Sequence, residues 1–123
     1  MIFFLDTEQL MIIHDAQLKE HGGLPGCRDY GAISAILSRV ENLNIYEDEN
    51  DIYVLASAYL VAVSRGHGFN DANKITALLA ELVFLDMNDI TLTTPVSFAD
   101  YVAEIAQGMH ETRSVAEALR MLA

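Results

Sequence analysis

The sequence predicts an all-α protein of about six helices, two of them central and apolar, and three observations carry that prediction. Two segments, Asp51 to Arg65 and Ala72 to Met87, are apolar nearly all round, the pattern of helices at the middle of a bundle. Capping and stop residues punctuate the chain: Asp6 with Gln9 three residues on, Gly22-Gly23, Gly108, and Pro95 after Thr94. At 123 residues, 52% of them hydrophobic, the chain fits one domain over residues 1–123 with a single core.

The elements follow in order. Asp6 and Gln9 form a capping box for a first helix that carries Leu10, Ile13, Gln17 and Leu18 and stops at Gly22-Gly23. Leu24-Pro25-Gly26 is a turn. A second helix runs from about Tyr30 to Val40, with Ile33, Ile36, Leu37 and Val40 inward. The stretch from Asn42 to Asn50 reads as polar and irregular. Its acidic cluster, Glu47, Asp48 and Glu49, followed by Asp51, sits where negative charge favours the start of the third helix. Asp51 to Arg65 and Ala72 to Met87 are the third and fourth helices, and Asn88-Asp89 ends the latter. Ile90 to Thr93 makes a short extended piece. Thr94-Pro95 opens a fifth helix, closed by Gly108, and a sixth covers about Thr112 to Leu122.

Seven Lys+Arg against 18 Asp+Glu give a formal charge of −11. Counterion release needs a concentrated basic surface, and these few basic residues are scattered, so nucleic acid is not an expected partner. A basic or amphipathic protein partner, or simple solubility, accounts for the acidity. The start Met1-Ile2-Phe3-Phe4-Leu5-Asp6 does not read as a signal peptide, and the run from Val54 to Val63 is far short of a membrane span. The lone Cys27 suits a reducing compartment, and the expectation is a cytoplasmic protein. Four histidines without ligand spacing make no zinc site. His14 shares a face with Met11 and Leu18 and reads as packed, His21 and His110 as exposed, and Arg28-Asp29 as a structural pair.

The two apolar helices are joined by Arg65-Gly66-His67-Gly68-Phe69-Asn70-Asp71-Ala72-Asn73-Lys74. A polar loop anchored at both ends in a core holds its side chains in fixed places. The start of the fourth helix offers free N–H groups and a positive dipole end, suited to phosphate, and Asn73 and Lys74 add donors on that turn. Asp71 supplies a hard oxygen of the kind Mg²⁺ takes beside phosphates. His67 could remove a proton from an attacking hydroxyl, and Phe69 would pin the loop. On residue types alone such a stretch is more often only a C-cap followed by an N-cap, with Asn70 or Asp71 as the capping residue.

His67-Gly68-Phe69-Asn70-Asp71-Ala72-Asn73-Lys74-Ile75-Thr76-Ala77 resembles the signature of the Fic superfamily, and more closely its death-on-curing (Doc) branch. Ile13-His14-Asp15 and the Gly22-Gly23-Leu24-Pro25-Gly26-Cys27-Arg28-Asp29 turn resemble that family's opening, so the likeness covers essentially the whole chain. The resemblance implies the all-α Fic fold. It also implies a Doc-type protein kinase, the toxin of a toxin–antitoxin pair, that uses ATP and Mg²⁺ to phosphorylate a hydroxyl of translation elongation factor Tu and arrest growth. Carried over by position, His67 is the base, Asp71 the Mg²⁺ ligand, and Ala72, Asn73 and Lys74 the nucleotide contacts. Lys74 stands where most Fic proteins, which transfer AMP, have glycine, and in the Doc branch that lysine turns the γ-phosphate toward the acceptor. Asn44-Ile45-Tyr46 falls where such proteins dock their target, and an antitoxin helix or tail is expected in a surface groove.

One position departs from the pattern: Ile75 stands where the family has arginine. Isoleucine supplies neither charge nor donor to a phosphate. Three readings stay open: a kinase of reduced activity, an AMP-transferase, and an inactive module that only binds an antitoxin. Arg65 is the nearby basic residue that could substitute.

Overall fold

The computed structural model describes residues 1–26, 30–70 and 72–123. Among the described residues the chain forms six helices, α1 (Thr7–His21), α2 (Tyr30–Tyr46), α3 (Ile52–Gly66), α4 (Asn73–Met87), α5 (Phe98–Ala106) and α6 (Thr112–Leu122), and no strands pair into a sheet. The all-α expectation is met. Cys27, Arg28, Asp29 and Asp71 lie outside the described residues.

The capping box at Asp6 is present: its Oδ1 accepts from Gln9 N–H at 2.8 Å, and Gln9 Oε1 accepts from Asp6 N–H at 2.9 Å. Such reciprocal capping satisfies donors that no helical carbonyl can reach. Just before it, Leu5 N–H donates to the Tyr59 hydroxyl at 3.0 Å, which anchors the leading segment on α3. That hydroxyl is buried among apolar groups, and burial pushes its pKa far above the usual tyrosine range.

Helix α2 continues six residues past the expected end at Val40, and Asn42 to Tyr46 is helical rather than irregular. The polar residues do not break it, because Leu43 still packs against the core while Asn44 Nδ2 donates forward to Glu49 O at 2.9 Å and Asn50 Oδ1 at 3.0 Å. Asp51 caps α3 by accepting from Tyr53 N–H at 2.9 Å and pairs with Arg120 on α6; that partner and these hydrogen bonds lower its pKa, against the opposing effect of burial. Of the acidic segment, Asp51 and Glu49, whose Oε2 accepts from Asp51 N–H at 3.1 Å, serve the start of α3.

Every residue from Val54 to Leu60 is buried, and α3 packs on α2, α4, α5 and α6. It is the central helix. Helix α4 is less enclosed than its composition suggests. Thr76, Ala77, Ala80, Glu81, Phe84 and Leu85 face inward, while Leu82 and Val83 line a groove of about 340 Å³ with Ile90 and Leu92 of the extended segment that follows. The start of the fifth helix also differs from expectation. Pro95 sits in a turn whose carbonyl accepts from Phe98 N–H at 3.0 Å, and α5 begins three residues later.

The site is positioned by a close approach that only glycine allows. A Cβ on Gly68 would lie 2.7 Å from Ile33 Cγ1, and one on Gly66 would lie 2.5 Å from Ile36 Cδ1. Helix α2 thus packs directly on the backbone either side of His67. Gly68→Ala is expected to cost about 1–3 kcal/mol by overpacking. Adding Ile33→Ala should recover part of that loss, and thermal unfolding of the single and double variants checks it.

Candidate active site

His67 ends α3 in the left-handed conformation, φ 48° and ψ 37°, with its side chain exposed. Ala72, which opens α4, is also left-handed at φ 63°, a conformation that costs an alanine roughly 1 kcal/mol. Between these two bends Phe69 drops into the core at 1% exposure, as the sequence reading expects. Asn73 reaches back around the Phe69 peptide: its Oδ1 accepts from Phe69 N–H at 3.2 Å and its Nδ2 donates to Phe69 O at 3.1 Å. Among the described residues the second Nδ2 hydrogen has no partner, which leaves it for a ligand. Asn70 does not cap α4. Its Nδ2 donates to Pro25 O at 3.1 Å and its N–H to Gly26 O at 3.3 Å, tying the loop to the turn after α1.

The result is a cleft of about 570 Å³. His67, Asn70, Ala72, Asn73, Lys74 and Ile75 form one side, and Ala103 and Ala106 of α5 with Gln107 at its C-cap form the other, with Ser64 also lining it. Ala72 gives no side-chain cap, and the amides of Asn73, Lys74 and Ile75 have no helical carbonyl to bond, so the positive end of α4 opens at this cleft. Lys74 is exposed beside it and makes no ion pair among the described residues. A proton acceptor, an ammonium and a helix start thus share one concavity, which suits transfer of a phosphoryl-type group to a hydroxyl.

The structure brings His67, Ala72, Asn73 and Lys74 together; Asp71, the expected Mg²⁺ ligand, lies outside the described residues. Asn44, Ile45 and Tyr46 do not line this cleft. They occupy the last turn of α2, eight to ten residues beyond the Ile36 that touches Gly66, which is about 12–15 Å along the helix. Ile45 and Tyr46 are exposed there. Arg65 is not free to replace the arginine missing at position 75. Its Nε donates to Ile105 O at 2.7 Å and its Nη2 to His110 O at 2.9 Å, fastening the end of α5 to the end of α3. His110 is half-buried rather than exposed, with Nε2 2.8 Å from Glu104 Oε1 and its ring 4.6 Å from that of Tyr101. Sequence reading missed Gly66 and Gly68 as contact residues and the α5 wall altogether. Only the Gly-x-Gly spacing around His67 hinted at a close backbone approach.

An exposed histidine and the start of α4, joined by a loop pinned to the core of a helical bundle, thus share one cleft. The model of the Fic/DOC family matches residues 4–85, and the chain belongs to that family. It is 42% identical over 118 residues to the protein named "Protein kinase doc" of Escherichia phage P1, a match covering 96% of this chain and 94% of that protein. No helix among the described residues is long and apolar enough to cross a membrane.

Proposed function

We propose that this chain is a Doc-type protein kinase that transfers the γ-phosphoryl group of ATP to a hydroxyl of translation elongation factor Tu, acting as the toxin of a toxin–antitoxin pair. The observation that carries the reading is the placement of Lys74 on the open first turn of α4, in the same cleft as His67. The likeness to a relative named as a kinase supports it.

The amides of the first turn, the spare Nδ2 hydrogen of Asn73 and the Lys74 ammonium hold the phosphates. The imidazole of His67 takes the proton of the acceptor hydroxyl as that oxygen bonds to the γ-phosphorus. The bond from phosphorus to the β–γ bridging oxygen breaks, and ADP leaves. Mg²⁺ would be held by Asp71, a hard oxygen donor of the type that ion shares with phosphates and water, and would neutralise phosphate charge. Asn44, Ile45 and Tyr46, on the last turn of α2 and outside the cleft, would be a second contact for a substrate as large as a protein.

A second reading, an inactive module that engages an antitoxin, is favoured by one feature: Ile75 presents no charge and Arg65 is engaged elsewhere. Incubation with ATP, Mg²⁺ and elongation factor Tu, read by mass spectrometry, separates the cases. A phosphate adduct that His67→Ala abolishes is expected. An AMP adduct, or no adduct, overturns the kinase reading.

A further inference from the structure

We infer that His14, on α1 and outside the cleft, is a positioning residue for the loop that carries His67; this rests on the transferase reading of the cleft. His14 is completely buried, and its imidazole lies on the ring of Phe69 with centroids 3.8 Å apart and planes 8° from parallel. Neither ring lines the cleft. A contact that close and that parallel fixes the plane of the phenyl ring as well as its depth.

The loop between His67 and Ala72 is restrained from three helices. Ile33 of α2 lies against Gly68, and Asn73 of α4 clamps the Phe69 peptide. His14 of α1 lies on the Phe69 side chain. The first two act on the backbone, and His14 acts on the rotation of the side chain. An aliphatic residue could fill the same volume without imposing a plane. Phe69 could then turn, carrying with it the backbone two residues from His67. A planar ring at position 14, rather than mere bulk, is what the loop requires.

The parent chain, His14→Leu and His14→Phe are compared by hydrogen exchange at the Phe69 amide and by transfer from ATP to elongation factor Tu. In His14→Leu, exchange at Phe69 should speed up about tenfold, the worth of a good aromatic stack, while core amides of α3 and α6 are unchanged. Its kcat should fall by about the same factor, with KM for ATP little altered. His14→Phe should keep both properties closer to parent than His14→Leu does, because both variants lose the polar contacts of the imidazole, among them that of Nδ1 to Asp15 Oδ1 at 3.4 Å, and only the ring is retained. If His14→Leu does not fold, His14→Gln takes its place under the same criteria. Unchanged exchange and kcat in the non-aromatic variant overturn the inference. So does uniform loss of protection throughout the protein in both variants, which marks a general core residue. Selective loss at Phe69 in a parent that shows no transfer at all upholds the positioning role and removes the kinase reading.

Discussion

An Ile75→Arg chain is expected to bind ATP and transfer its phosphate roughly ten- to a hundredfold better than the parent, the worth of one charge-assisted contact of about 1.5–3 kcal/mol. Ile75 lines the cleft on the first turn of α4, so a longer side chain there extends into the space that would hold the phosphates. The cleft otherwise offers Lys74 as its one cation of fixed charge among the described residues, and Arg65 is committed to the Ile105 and His110 carbonyls. The same substitution should slightly lower stability without ligand. It sets a second positive charge beside Lys74 at the positive end of the helix, worth about 0.3–1 kcal/mol, and it removes an apolar side chain from the side of the cleft opposite Ala103 and Ala106. Gain of activity with loss of ligand-free stability is therefore the expected pair of results. His67→Ala placed in the Ile75→Arg chain should return transfer to background, a loss of about 10²–10⁴ for a general base. Equal phosphorylation of elongation factor Tu by parent and Ile75→Arg would remove the argument.

Helix number, the central place of α3 and the inward Phe69 were legible because each follows from local chemistry: an all-round apolar run, a capping box, an aromatic between polar neighbours. What was not legible depends on neighbours distant in sequence. The end of α2 was misplaced because Asn44 looks like a helix breaker until its bonds to Glu49 and Asn50 are seen. Pro95 promised a helix start that the chain delays until after a turn. Arg65, two residues from His67, invited a functional reading that its bonds to carbonyls 40 and 45 residues away redirect. The candidate site divides the same way. His67, Asn73 and Lys74 could be named from a contiguous motif, whereas the α5 wall and the α2 isoleucines that press on Gly66 and Gly68 come from elsewhere in the chain.

Glu81 is the plainest case, an acidic residue in an apolar run that on a helix would ordinarily reach solvent. It is fully buried, and neither carboxylate oxygen has a hydrogen-bond partner among the described residues. Burial alone pushes its pKa from an ordinary 4.5 up to about 8. The sign of the consequence follows from which state holds the proton. Below about pH 4.5 both the folded and unfolded chains keep it, and the group contributes no pH dependence. As pH rises from there toward about 8 the unfolded chain releases the proton while the folded chain retains it, so stability falls throughout that window. At pH 7 the loss amounts to about 3 kcal/mol. Glu81→Leu should therefore stabilise the protein by about 4–5 kcal/mol at pH 7, that loss together with a pH-independent part, with a rise in Tm on the order of 20 °C for a chain of this size. At pH 4.5 the gain should shrink to about 1–2 kcal/mol, the remaining cost of a neutral carboxyl with unmade hydrogen bonds. Glu81 sits seven residues, about 10 Å, along α4 from Lys74, so the parent's penalty falls on the helix that presents the open amides. Urea unfolding of both chains between pH 4.5 and 8 checks the argument through the difference of the two curves, which cancels the other carboxylates. A difference that does not grow with pH would mean that the Glu81 carboxyl ionises without cost in the folded chain.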